Sequence, residues 1–216
     1  MATVPSRPKI YHITHLGNLP QIVRAGRLWS DAKRSELGLD CVVVGMSEIK
    51  RRRLEELAVS CHPSTTVGQY VPFYFCPRSI MLYILYRANH PELSYRQGQR
   101  PIVHLQADLY ETVRVAEEEG VRWTFSNTNA GTRYASFYDS LARLDEVDWA
   151  AVEATDFRGA AVKERKQAEF LVYESFPWSL IEKIGVADQT VLEQVQAALA
   201  EADHVPPASV ERGWYF

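Results

Sequence analysis

The chain is short of cysteine, of long apolar runs and of net positive charge. Its three cysteines, Cys41, Cys61 and Cys76, form no C-x-x-C pair, which suits neither a disulfide framework nor a four-ligand zinc site. Reduced thiols, a cytoplasmic setting and no metal are expected. No stretch approaches the ~18 apolar residues that a membrane span requires, and the start, MATVPSRPKIYHITH, has no apolar run behind its basic residues. A protein neither exported nor embedded is therefore expected. No Walker loop, G-x-G-x-x-G, H-E-x-x-H or G-x-S-x-G occurs, which removes the common nucleotide, metal and hydrolase motifs.

A formal charge of -3 at pH 7 gives no global attraction to a polyanion, so nucleic-acid binding would need local clusters of Arg and Lys. Lys50-Arg51-Arg52-Arg53 is one such cluster and Lys163 to Lys166 is another. Charge runs are most often solvated faces, so these permit DNA binding without requiring it.

What is present suffices for one core. At 216 residues and 46% hydrophobic content, a single domain spanning residues 1–216 is expected. Lys9 to Thr14 reads as a β-branched and aromatic strand, followed by a helix over Leu19 to Ala25 that Asn18 caps and Gly26 ends. Val42 to Val44 reads as a short buried strand, Glu48 to Val59 as a helix and Val71 to Phe75 as a strand. Pro77 is a fitting first helical residue before an apolar stripe of Ile80, Met81, Ile84 and Leu85 that runs to Arg87. Strands are expected at Pro101 to Leu105 and Trp123 to Phe125, a polar loop at Ser126 to Gly131, and a short helix at Phe137 to Leu144. The apolar run from Gln167 to Tyr173 reads as a core strand and Asp188 to Ala202 as the last helix. Irregular alternation of strands and helices gives an α+β class. The weakly patterned stretch 117–168 is long for a structureless region in a compact domain, and such regions are more often functional than idle.

Few residues carry chemistry individually. Glu169 opens an apolar strand, where a carboxylate can face a cleft, but that arrangement is common by chance. His12 shares a strand face with Ile10 and Thr14, where a hydrogen-bonded core histidine is the ordinary outcome. Arginines near a helix N-terminus oppose its dipole, a mismatch that an anionic ligand would offset.

Considered together, the stretches resemble the DarT-type DNA ADP-ribosyltransferase toxins of the ADP-ribosyltransferase superfamily. The matching segments are Tyr11-His12-Ile13-Thr14-His15, Val44-Gly45-Met46, Glu48 to Leu54, Thr65 to Gly68, Val71 to Phe75, Pro77-Arg78-Ser79 with Met81-Leu82-Tyr83, Arg133-Tyr134, Asp156-Phe157-Arg158 and Lys166 to Val172. They run in order through residues 9 to 178. Two places depart from the pattern: Ile80 stands where proline is expected, and Gly159-Ala160-Ala161 is blander than the usual acidic or proline-bearing stretch.

The resemblance implies an ADP-ribosyltransferase-like split β-sheet, with surrounding helices and NAD held in a cleft. It implies that His12, Ile13, Thr14, Gln21 and Arg51 contact NAD, and that Glu169 and Arg51 act in catalysis. Arg52 and Arg53 are substitutes for Arg51. It implies a substrate-reading region at 117–168, with Arg78, Met81, Asn129, Arg133, Tyr134 and Lys166 contacting single-stranded DNA. The implied product is ADP-ribosylated thymidine, and the implied partner is a macrodomain antitoxin that removes the mark. A monomer with no membrane association is expected. An ADP-ribosyltransferase acting on protein or RNA, and a catalytically silent nucleotide- or DNA-binding module, remain as alternatives.

Overall fold

β-Branched and aromatic residues make Lys9–His15 the first strand, β1, and Gly26 ends the helix that follows, α1 (Leu19–Ala25), in the left-handed conformation at φ 64°. The structure, a computed structural model, describes residues 3–216. Asn18 does not cap α1. Its side chain binds Thr14 Oγ1 and the backbone of Val42 instead, tying β1 to the segment that follows α2.

The remaining elements are β2 (Arg27–Trp29), α2 (Asp31–Glu36), α3 (Ser47–Glu55), β3 (Ala58–Val59), β4 (His62–Thr66), β5 (Tyr70–Tyr74), α4 (Ile80–Arg87), β6 (Ile102–Asp108) and α5 (Leu109–Glu118). After these come β7 (Trp123–Asn129), β8 (Phe137–Tyr138), α6 (Trp149–Glu153), α7 (Ala160–Arg165), β9 (Ala168–Tyr173), β10 (Ser175–Pro177), β11 (Lys183–Val186), α8 (Gln189–Ala198) and β12 (Ala208–Val210). An eight-stranded sheet runs in the order β12-β11-β6-β1-β5-β9-β7-β8. All its pairs are antiparallel except β11 with β12.

The sheet is split where β1 meets β5, because these strands pair only at Tyr11↔Tyr74, whereas β1 and β6 pair along seven residues from Lys9↔Asp108 to His15↔Ile102. Past the single pair, His12 spans the gap with a 2.8 Å hydrogen bond to the Pro72 carbonyl. Successive strand residues point to opposite faces. Accordingly Val103, Leu105 and Ala107 of β6 join the main core with α1, α5 and α8, while Ile102 joins a second cluster with α4 and Tyr215. Phe73, Phe125, Phe170 and Phe176 are completely buried, and removing one such ring would cost about 3–5 kcal/mol.

Several local expectations fail for tertiary reasons. Val42 to Val44 form no strand and are partly exposed, because they line a cleft rather than pair. Phe137 to Leu144 is not a helix: Phe137–Tyr138 is the edge strand, paired to Phe125 and Ser126, and a 3-10 turn covers Leu141–Glu146. The expected polar loop at Ser126 to Gly131 is mostly strand, since β7 continues to Asn129. The third helix stops at Glu55, and Ala58–Val59 turns into a hairpin. Ser79, not Pro77, starts α4 by accepting the Leu82 N–H, so Ile80 occupies the first helical position, where proline is also favoured.

Candidate active site

The split between β1 and β5 opens into a cleft roofed by α3 and the segment 39–46. His12, Ile13, Thr14 and Gln21 all line it, as does Met81. Arg27, Arg34, Lys50 and Arg53 also face the cleft, and Asp31 is the sole carboxylate among its lining residues. Lys50 is paired with Asp31 and Arg53 with Glu169 behind it, so the four cations leave an excess of two positive charges, which suits a diphosphate. Lys50 Nζ binds Asp31 Oδ1 at 2.8 Å. Burial alone would raise the Asp31 pKa, but Lys50 and Arg34 hold it below the usual carboxylate range. Burial pushes the His12 pKa down despite its bond to Pro72. Because a carbonyl only accepts, Nδ1 carries the hydrogen and Nε2 keeps its lone pair.

Helical spacing decides which arginine belongs to the site. Met46, Ile49, Lys50 and Arg53 follow i, i+3, i+4, i+7 spacing and all line the cleft, as residues on one helical face do. Arg51 projects elsewhere. Its guanidinium pairs with Glu48 at 2.6 Å, Glu55 at 2.8 Å and Glu56 at 3.0 Å, and it does not line the cleft. Of the two, Arg53 lines the cleft and Arg51, expected there, does not. The signal was available in the sequence, because Glu48 and Glu55 lie at i−3 and i+4 of Arg51.

Arg53 reaches Glu169 through a bidentate pair, NH1 to Oε1 at 3.0 Å and NH2 to Oε2 at 2.9 Å. The Ala130 N–H donates to Oε1 at 3.2 Å. Burial would lower the Arg53 pKa, but the adjacent carboxylate reverses this and leaves it raised. Glu169 itself is only 2% exposed, so Arg53 stands between it and the open cleft. The carboxylate is aimed by an irregularity in the sheet. Phe125 pairs with Phe170 and Asn129 with Ala168, so three residues of β7 oppose Glu169 alone, and such bulges redirect side chains. Ser126 Oγ secures the bulge by accepting the Glu169 N–H at 3.1 Å and donating to the Thr128 carbonyl.

The expected DNA contacts are dispersed. Tyr134 is 88% exposed in the turn joining β7 to β8, and Arg133 beside it approaches Glu56 only at 3.8 Å. Asn129 is engaged internally, donating to Gln167 Oε1 and accepting from Gly131 N. Arg78 lies over the Phe216 ring at 4.4 Å in a second cavity. Lys166 is not free for a surface phosphate: it is 3% exposed and donates to the Val152 carbonyl. Trp29 and Tyr74 also line the cleft and have no local pattern that marks them as site residues.

A family model described as "ssDNA thymidine ADP-ribosyltransferase, DarT" matches residues 11–216. A DNA ADP-ribosyl transferase of Thermus aquaticus is 39% identical over 209 residues, covering 96% of this chain and 88% of the relative. The structure is similar to that of Thermus sp. 2.9 DarT in complex with ADP-ribosylated ssDNA, with TM-score 0.88, 34% identity, and coverage of 100% of this chain and 99% of the other. It is also similar to Thermus sp. 2.9 DarT in complex with NAD+, with TM-score 0.79, 34% identity, and coverage of 99% and 100%.

Proposed function

The chain belongs to the DarT family of ssDNA thymidine ADP-ribosyltransferases, and on that premise we propose that Glu169 and Arg53 form its reacting centre. The reaction takes ADP-ribose from NAD to a thymidine base in single-stranded DNA and releases nicotinamide. The observation that carries the residue assignment is the bidentate Arg53–Glu169 pair at the inner wall of a cationic cleft.

Arg27, Arg34 and Lys50 suit the diphosphate of NAD, and His12 to Thr14 suit the nicotinamide-ribose end beside the sheet split. Breaking the bond to nicotinamide develops positive charge on the ribose, and a carboxylate there stabilises the transition state more than the ground state. Both Glu169 oxygens are engaged by Arg53, so at least one must be released for Glu169 to meet a ribose hydroxyl. The freed guanidinium then faces the negative charge that grows on the thymine ring. A guanidinium keeps its proton, so Arg53 acts by charge rather than as a base.

Residues 1–216 act as one domain in this reading. Within 117–168, the exposed Arg133 and Tyr134 receive the DNA, with Tyr134 offering a stacking surface worth ~1–3 kcal/mol per base and Met81 bordering the base. A macrodomain protein that removes ADP-ribose is the partner the family resemblance implies. No helix among the described residues is long and apolar enough to cross a membrane.

Incubating the chain with NAD and single-stranded oligonucleotides, with mass spectrometry of the products, tests the reading. ADP-ribose on thymidine, reduced by Tyr134→Ala through a raised KM for DNA, is the expected result. Label on protein or RNA alone, or NAD binding without turnover, would replace it with one of the other two readings.

A further inference from the structure

Away from the cleft, the turn between β3 and β4 brings Cys61 and His62 against Asp139, which follows β8. A sulfur, a ring nitrogen and a carboxylate oxygen lie within 4.8 Å of one another. None of the three residues lines the active-site cleft. We propose that Cys61, His62 and Asp139 form a zinc site that fastens the β3–β4 turn to the sheet edge at β8.

The surroundings are arranged as a metal site requires. His62 Nε2 is 3.1 Å from the Trp123 carbonyl. A carbonyl only accepts, so that nitrogen carries the hydrogen and Nδ1 keeps the lone pair that a metal takes. A histidine ligand whose other ring nitrogen donates to a backbone carbonyl is the common supporting arrangement at metal centres. Cys61 Sγ is 3.2 Å from Thr124 Oγ1, whose hydrogen goes to the Tyr138 carbonyl. Cys61 therefore donates its S–H to Thr124. On binding, the thiol proton passes to solvent as the sulfur–metal bond forms, and the Thr124 hydroxyl can turn its hydrogen to the thiolate.

The donor set selects the metal. Thiolate and imidazole disfavour magnesium and calcium, which take oxygen ligands. Zinc accepts sulfur, nitrogen and carboxylate together, with three protein ligands and a solvent molecule in the fourth position. Tetrahedral zinc would place the donors about 3.5 Å apart given its bond lengths, so the present spacing closes by movements of about 1 Å. Asp139 is exposed and free to make that movement. Cysteine spacing excludes a four-cysteine site but says nothing about a three-ligand one, because Asp139 lies 77 residues beyond His62.

The β3–β4 turn follows α3, which carries Arg53, and β8 closes the turn that presents Ala130 to Glu169. A metal here would brace both flanks of the reacting pair without touching substrate.

The test uses the whole chain, stripped with a chelator and titrated with cobalt(II). One equivalent should produce a thiolate-to-cobalt charge-transfer band with tetrahedral ligand-field bands, zinc should bleach them, and zinc should raise the thermal midpoint. Cys61→Ser should abolish the charge-transfer band, whereas Cys41→Ser keeps it. Asp139→Asn changes an exposed side chain, so the fold is retained, and it should weaken cobalt binding by at least about tenfold. No charge-transfer band in the parent, a band that survives Cys61→Ser, or unchanged affinity in Asp139→Asn would each overturn the site.

Discussion

Arg53 grips both carboxylate oxygens of Glu169, at 3.0 and 2.9 Å, although 116 positions separate them in the chain. The side chains are 15% and 3% exposed, so each charge depends on the other for compensation. Substitutions can separate the structural role of the pair from the chemical role proposed for it.

Glu169→Gln keeps the shape of the side chain and removes its charge. Transfer to a thymidine oligonucleotide should fall by roughly 10²–10³, the scale for losing one transition-state stabiliser, while calorimetric NAD affinity changes little. Near-normal transfer would show that Glu169 is only a structural partner of Arg53.

Arg53 and Arg51 should behave oppositely. Arg53→Ala leaves a buried carboxylate without its cation and should destabilise the fold by about 3 kcal/mol or more, with loss of transfer. Arg53→Lys keeps the charge but not the fork and should recover part of the stability and little of the activity. Arg51→Ala disturbs only exposed pairs, so its urea midpoint and its transfer rate should match the parent's. Loss of transfer in Arg51→Ala with an intact midpoint would return the role to that residue.

Gly68 permits the close approach of α3. A Cβ at this position would lie 2.7 Å from Leu54 Cδ2 and 2.9 Å from Leu54 Cα, and backbone cannot yield as a side-chain tip can. Gly68→Ala should displace α3, and with it Arg53, costing about 1–3 kcal/mol and reducing transfer more than NAD binding. Unchanged kinetics would mean that α3 adjusts without moving Arg53.

Acid should weaken the fold before the carboxylates titrate. Burial of His104, bonded to Tyr215 and Pro77, pushes its pKa down to about 4, against about 6.5 in an unfolded chain. The unfolded state takes up the proton first, so stability is full above about pH 6.5, declines as pH falls and levels off below about 4, by at most about 1.4 kcal/mol per unit from this group. His12 adds in the same direction. Urea midpoints between pH 7 and 4.5 should fall less steeply in His104→Gln, and equal slopes in the two proteins would refute the assignment.

Elements whose signals are local were legible in the chain alone. Gly26 ends α1 through its own left-handed backbone, the apolar runs make β1, β5, β6 and β9, and the start of β9 places Glu169 in a strand. The i, i+3, i+4, i+7 rule puts Arg53 with Met46, Ile49 and Lys50 once α3 is granted. Tertiary structure decided what depends on distant partners. Val42 to Val44 have strand propensity but no strand beside them to pair with, Phe137–Tyr138 pairs with β7 instead of coiling, and Lys166 is drawn inward by the Val152 carbonyl. The choice of Arg53 as the partner of Glu169 belongs here as well. Propensity and periodicity act over a turn or a strand, whereas a buried ion pair forms only where the whole sheet brings two charges together and excludes water around them.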